Sequence, residues 1–355
     1  KPIDLPSAPD GVDDLGMYTD GETVTGFLGE LAGASYATDR DSITVGEMSS
    51  TSIERCIEYS HPDRGALSMV FNFHHLKVDY DNGRKWTRKP FDFAELKQLL
   101  TRWAVRMQEG GGWNALFWNN HDQPRALDRF GDVLNYRVES ATMLATAIHL
   151  LRGTPYVYMG EEIGMTDPEY TSIDEYVDVE AINAHQALLE LGVTPVEAFA
   201  IVHSKARDNA RTPMQWTPGP HAGFSTGTPW LRPTNHETIN VAAEQADGRI
   251  LPYYRRLIAL RKQHPVIAIG DIEPFALEHD SVFGFVREHR GSKLLVLTNF
   301  YGRSAAVCIP AEFCAGAVLI SNYGRTDTPD STSFELKPYE ALAVLVTTQS
   351  QGDLP

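Results

Sequence analysis

The chain has 355 residues, 42% of them hydrophobic, enough for a sizeable core and for two domains. Its formal net charge of −16 argues against a nucleic-acid partner, which favours a basic surface, yet it leaves room for a local basic pocket that takes a phosphorylated small molecule. Three cysteines (Cys56, Cys308, Cys314) are too few and too scattered for a disulfide framework or a zinc site, which points to a reducing, cytoplasmic setting, and no run of about 18 apolar residues predicts a membrane span.

The first 40 residues read as irregular surface leading into a helix near Val24–Leu31. Short apolar runs then predict strands at Ile43–Glu47, Leu67–Phe73, Ala115–Asn119 and Pro155–Met159. Helical spacing fills the gaps: Phe93–Met107 has apolar residues at 93, 96, 99, 100, 103 and 107, and Tyr136–Leu151 behaves likewise. This βαβα order implies a parallel sheet. Beyond Glu161, residues 174–203 are mostly helical, and 204–245, rich in Pro, Gly, Thr and Asn, read as a long functional loop. A helix at Tyr253–Lys262 ends at His264-Pro265. From about residue 270 the texture is all-β, with strands expected at Ser281–Glu288, Lys293–Asn299, Ala305–Ile309, Ala317–Ser321 and Ala341–Val346, read as a small antiparallel sandwich.

Two carboxylates stand where buried-looking strands stop: Glu47 after Ile43-Thr44-Val45-Gly46, and Asp122 after Asn114 to His121. In an α/β barrel that is the rim on which chemistry is done. An acid that protonates a leaving oxygen needs a raised pKa, and an apolar strand end can desolvate it; a helix-capping surface Glu is the bland alternative for Glu47. Asn120-His121-Asp122-Gln123-Pro124-Arg125 packs donor, imidazole, carboxylate and guanidinium into six residues, more polar equipment than a turn requires and suited to sugar hydroxyls. Ser204 to Trp216 sets Arg207 and Arg211 four apart beside Asp208, Gln215 and Trp216, either a grip on hydroxyls or a loop latch. Adjacent His74 and His75 should point opposite ways, a poor metal pair. Lys77 with Arg84, Lys85, Arg88 and Lys89 forms the one dense basic stretch, by default a solvated face and, in the sharper reading, a phosphate pocket. Glu161 and Glu162, after the fourth strand, suit a supporting role, orienting neighbours or accepting from backbone amides.

Val45-Gly46-Glu47-Met48, Phe117 to Asp122, Gly153-Thr154-Pro155-Tyr156 through Gly160 to Met165, and Arg207 to Trp216 are motifs specific in combination. Through them the chain resembles, over essentially its whole length, the α-amylase superfamily (glycoside hydrolase family 13) in its oligo-1,6-glucosidase-like branch. Gly46 to Ser52 and Phe71 to Tyr80 look most like the members that hydrolyse trehalose 6-phosphate; Lys77 stands where 1,6-glucosidases tend to carry an acid. The resemblance implies an α/β fold, the C-terminal half of a (β/α)8 barrel (strands 5–8) over residues 1–268 with a long loop at 167–250, then an all-β domain over 269–355. It implies retaining hydrolysis through two carboxylates about 5–5.5 Å apart.

By match, Glu47 is the acid/base and Asp122 the transition-state stabiliser, while His121, Arg125, Arg207, Arg211, Lys77 and Lys89 line the substrate site. The nucleophilic Asp of the family falls upstream of Lys1, and Asp13, Asp14 and Asp20 follow no apolar strand, so they are not substitutes. The expected reaction is cleavage of trehalose 6-phosphate into glucose and glucose 6-phosphate, with residues 1–355 inactive alone. The alternatives are an oligo-1,6-glucosidase or dextran glucosidase acting on neutral α-1,6-glucosides, or a non-catalytic carbohydrate-binding relative. No cofactor is expected in this segment; the calcium loop of some relatives falls in the N-terminal part. The expected partner is a phosphorylated or neutral glucose disaccharide, with no nucleic acid and no membrane. An open half barrel also exposes sheet edges, which predicts self-association or pairing with the N-terminal half. Met159 departs from the family, which usually has Gln there.

Overall fold

The computed structural model describes residues 19–37, 41–63, 65–327 and 331–347. Asp13 and Asp14 lie outside the described residues. Asp20 is taken up by helix packing, its carboxylate accepting from the Tyr59 hydroxyl at 2.8 Å.

Strands β1 (Val45–Met48), β2 (Met69–Asn72), β3 (Asn114–Leu116) and β4 (Thr154–Pro155) pair in chain order, all parallel. Parallel neighbours need a crossover. Helix α1 (Val24–Ala34) precedes the sheet; α2 (Ile53–Ser60), α3 (Phe93–Glu109), and the pair α4 (Ala126–Phe130) and α5 (Arg137–His149) supply the crossovers. Side-chain caps mark where two of them begin: Ser52 accepts from the Arg55 amide at 3.2 Å and Asp92 from the Glu95 amide at 2.9 Å. The fourth strand is shorter than its apolar run suggests. Only the Tyr156 amide still reaches the neighbouring strand, donating to the Leu116 carbonyl at 2.8 Å, and residues 156–158 then turn over the rim instead of extending the ladder.

Helices α6 (Val179–Glu190) and α7 (Pro195–His203) follow, with Thr194 capping α7 and Pro195 at its first turn. The stretch expected as one loop over 204–245 contains α8 (Asp208–Arg211) and reaches α9 (Val241–Ala246). Helices α10 (Ile250–Gln263) and α11 (Pro265–Ile269) lead into an antiparallel sheet of order β5-β6-β7-β11-β9. Its strands are β5 (Asp271–Phe275), β6 (Val282–His289), β7 (Ser292–Asn299), β9 (Ala317–Ser321) and β11 (Ala341–Thr347); β8 (Ala305–Cys308) and β10 (Ser333–Leu336) pair as a second layer. The sandwich is therefore unequal, five strands against two.

Period-two alternation gives the larger sheet two jobs. Phe283, Phe285, Leu294, Val296, Ala341 and Ala343 face one way, into a core shared with α3, α5 and α10. Val282, Leu295, Leu297, Leu342 and Val344 face the other way, onto Val307 and Leu336 of the small layer and Phe313 of the turn after β8. Each fully buried Phe or Leu there is worth roughly 1.5–3 kcal/mol. Arg287 sits at the seam, fully buried, donating to the carbonyls of Leu150 (2.8 Å), Ile267 (3.1 Å), Gly270 (2.6 Å) and Asp271 (3.2 Å). Burial, with Arg261 and Arg152 nearby, pulls its pKa down to about 9. Among the described residues no helix is long and apolar enough to cross a membrane.

Candidate active site

Glu47 stands next to last in β1, opposite Phe71, and Asp122 lies in the loop that follows β3, so both are on the C-terminal side of the parallel sheet. Glu47 and His121 open on one cavity of about 230 Å³. Its floor is aromatic: Phe71 meets Phe117 edge-on at 5.0 Å and Tyr156 at 4.8 Å. Such a floor is apolar where a sugar ring would lie, with polar groups gathered at one side. Glu47 is exposed rather than desolvated, because β1 pairs only with β2 among the described strands and nothing there covers its outer flank.

Asp122 is gripped from two sides. Arg211 donates to its Oδ1 at 2.8 Å and, through Nε, to the His121 carbonyl at 2.7 Å. Arg207 reaches the same oxygen at 3.4 Å while forking onto Asp178 at 2.8 and 2.7 Å. His121 Nε2 approaches the other oxygen at 3.5 Å. The Asp178 fork raises the Arg207 pKa further, and the same bond lowers that of Asp178. Arg207 is thus a latch that also touches Asp122, tied to Asp178 rather than to its neighbour Asp208. Asp208 instead accepts from the amides of Val177 and Asp178 at 2.9 Å each and so sets the start of α6.

Arg125 departs from expectation. It is 1% exposed, and its guanidinium donates inward to the carbonyls of Met159 at 2.6 Å and Ala210 at 3.3 Å. It braces the segments that carry Met159 and Ala210 and does not line the cavity beside Glu47.

The basic stretch also divides. Lys85 forks onto Glu180 at 3.0 and 2.9 Å, Arg84 pairs with Asp81 at 2.9 Å, and Arg88 approaches Glu197 at 3.7 Å. Lys77 donates to the Ser49 carbonyl at 2.8 Å, two residues past Glu47, and burial lowers its pKa. Lys89 lines a different cavity, of about 640 Å³, with Arg129, Lys205, Asp128 and Asp167. Among the described residues Arg88 shares that cavity with Lys89, while Lys77 and Lys85 are bonded elsewhere, so the stretch does not converge on one pocket.

The two histidines do diverge. His74 lies against Trp103 at 5.0 Å, whereas His75 is buried against Phe117 and bonds its carbonyl at 2.9 Å, with burial lowering its pKa to about 4. Among the described residues no group of three or more His, Cys, Asp or Glu is placed to hold a metal ion.

Two features stand outside the expectations above: Asp79, and the tyrosines that follow β4. Asp79 is buried against Arg129 at 2.7 Å and Lys205 at 2.5 Å; burial alone would raise its pKa, but the two cations bring it down. Its place two residues after Lys77 was the available signal. Tyr156 and Tyr158 line the cavity with Glu47, and their alternation in Pro155-Tyr156-Val157-Tyr158 hinted at a shared face.

Comparison with known proteins adds to this geometry. A family model described as the alpha amylase catalytic domain matches residues 2–270, and one described as the alpha-amylase SusG C-terminal domain matches residues 282–342. The trehalose-6-phosphate hydrolase of Bacillus subtilis (strain 168) is 45% identical over 350 residues, covering 97% of this chain and 62% of the relative. An oligo-1,6-glucosidase of Halalkalibacterium halodurans is 43% identical, covering 86% of this chain and 55% of the relative. The crystal structure of Bacillus licheniformis trehalose-6-phosphate hydrolase superposes with a TM-score of 0.90 at 44% identity, covering 96% of this chain and 62% of that one. The chain thus spans about three fifths of the length of the relatives it matches.

Proposed function

The chain belongs to the alpha-amylase family, and from that premise we propose that it is the rim-bearing part of a retaining glycosidase that cleaves trehalose 6-phosphate. The carrying observation is that Glu47 and His121 open on one aromatic-floored cavity, with Asp122 held beside it by two arginines. On this reading β1 to β4 are strands five to eight of a (β/α)8 barrel over residues 1–268, and residues 269–355 form the accessory β-domain.

Glu47, exposed beside the cavity, delivers a proton to the glycosidic oxygen and later draws one from water. Asp122, fixed by Arg207 and Arg211, accepts from sugar hydroxyls and stabilises the positive charge that develops on the ring. Retaining hydrolysis also needs an attacking carboxylate, a role this reading assigns to none of the described residues. The test is turnover by the whole enzyme carrying these residues: Glu47→Gln should cut hydrolysis of trehalose 6-phosphate by roughly a thousandfold or more, and unchanged turnover overturns the assignment.

One observation favours a second reading, hydrolysis of neutral α-1,6-glucosides. The Lys77 ammonium is already bonded to the Ser49 carbonyl, two residues past Glu47. Lys77→Ala separates the two: selective loss on the phosphorylated disaccharide supports the first reading, and equal behaviour on isomaltose and trehalose 6-phosphate supports the second.

A further inference from the structure

Helix α8 has only four residues, so its last carbonyls find no partner within it and must be met from outside. The Asn209 carbonyl takes the Thr212 hydroxyl at 3.4 Å. The Ala210 carbonyl accepts twice, from the Tyr158 hydroxyl at 3.1 Å and from the Arg125 guanidinium at 3.3 Å. The Asn209 side chain adds a further tie, donating to the His203 carbonyl at 2.7 Å and accepting from the Tyr176 hydroxyl at 3.1 Å. The residue that follows Ala210 is Arg211, whose guanidinium grips Asp122 and the His121 carbonyl.

We propose that Tyr158 and Arg125 are positioning residues: by converging on the Ala210 carbonyl they set where Arg211 leaves the backbone, and so how it holds Asp122. The proposal rests on the role given to Asp122 above. The two donors come from different segments, Tyr158 from the turn after β4 and Arg125 from just before α4. They also act as one unit. Arg125 donates to the carbonyl of Met159, next to Tyr158, and its guanidinium carbon lies 5.5 Å from the centre of the Tyr158 ring. Gly160 leaves room for this approach, since a Cβ there would stand 3.2 Å from Arg125 Nη1. A buried guanidinium is costly where its donors go unmet. Arg125 spends them on two carbonyls, which fixes the segments carrying Met159 and Ala210 against each other. Tyr158 lines the cavity beside Glu47, yet its hydroxyl is committed to Ala210.

The test is a double-mutant cycle in the whole enzyme, with Tyr158→Phe and Arg125→Lys each introduced beside Arg211 and beside Arg211→Ala. Tyr158→Phe removes one oxygen and keeps the ring, so it should fold normally. Arg125→Lys keeps the charge but gives up the fork that reaches two carbonyls. With Arg211 present, each should lower kcat/KM about tenfold, because a displacement of about 1 Å near a reacting centre can cost about 10²-fold. With Arg211→Ala, each should cost less than about twofold, because the side chain they place is gone. A direct contact of Tyr158 with substrate, or a general loosening, would give the same factor in both backgrounds. That result, or no loss beside Arg211, overturns the proposal. The cycle is a ratio, so it can be read on trehalose 6-phosphate or on isomaltose. A crystal structure of the Tyr158→Phe/Arg125→Lys enzyme reads the same placement without turnover. There Arg211 should leave its 2.8 Å bond to Asp122, and an unmoved guanidinium overturns the proposal even where the glycosidase assignment has failed.

Discussion

Arg211 does two things that Lys cannot do at once: it donates to a backbone carbonyl beside His121 and to the Asp122 carboxylate from a single rigid fork. Arg211→Lys should therefore lower kcat/KM on trehalose 6-phosphate by about 10²-fold, with little change in thermal melting; equal kinetics would remove Arg211 from the site. Two buried carboxyls make opposite pH predictions. The pKa of Asp79 is lowered by Arg129 and Lys205, so its stabilisation is present above the unfolded value and is lost as pH falls through the folded one. Asp79→Asn, which strands two buried cations, should cost about 3–5 kcal/mol at pH 7 in a urea melt. The pKa of Glu161 is raised from 4.5 to about 7, so the folded state loses stability as pH rises through that window. Glu161→Gln should stabilise the protein by a few kcal/mol at pH 8 and not at pH 4.5; a gain independent of pH would refute buried ionisation. At this scale the sequence was informative where a residue's setting is local. Glu47, His121 and Asp122 were readable because a strand end aims them at the rim. Arg125 was misread because nothing local says which way a side chain turns after Pro124. Lys85 and its partner Glu180 are far apart in the chain, and only the fold brings them together.

Elements with a strong apolar pattern were recovered to within a few residues: α3 is the expected helix extended to Glu109, and β6, β7 and β11 are near-continuous buried runs covered on both faces. The misses share one cause, that strand identity depends on neighbours. β5 carries Pro274 and lies at the sheet edge, where a missing amide proton is tolerated, so its sequence does not read as a strand. Pro155–Met159 has a strand's composition, yet its ladder stops after Tyr156. Arg287 is a case the pattern hid completely: a charged residue in the middle of β6, at an inward-facing position, bonded to four carbonyls of α5, α11 and β5 surroundings. Replacing it by Met roughly keeps the volume and removes the donor from all four carbonyls, of which Ile267 keeps Arg261 at 3.4 Å. Arg287→Met should cost at least about 3 kcal/mol, seen as a lower urea midpoint for both halves together. If only the β-domain signal shifts, Arg287 does not couple them.

Taken as a whole molecule, the described residues carry an open parallel sheet whose first strand has an uncovered flank. Parallel strands are ordinarily buried on both faces, yet β1 alternates exposed, buried, exposed, and Ile43 just before it is 72% exposed. Helix α1 repeats the pattern: Leu28 packs toward Ile53, Cys56 and Tyr59, while Phe27 and Leu31 are 64% and 56% exposed. Apolar side chains beside an unpaired strand edge are what a sheet uses to add another strand. A polypeptide of residues 1–355 prepared alone should therefore associate at about 10 µM, in the range where exposed edges aggregate, and sedimentation velocity should show species larger than the monomer. Adding charge where the edge is bare, Ile43→Lys with Phe27→Glu, should restore monomer without lowering the melting temperature, since neither side chain is buried. Monomeric wild type at that concentration would mean that the flank is covered by some other part of the chain.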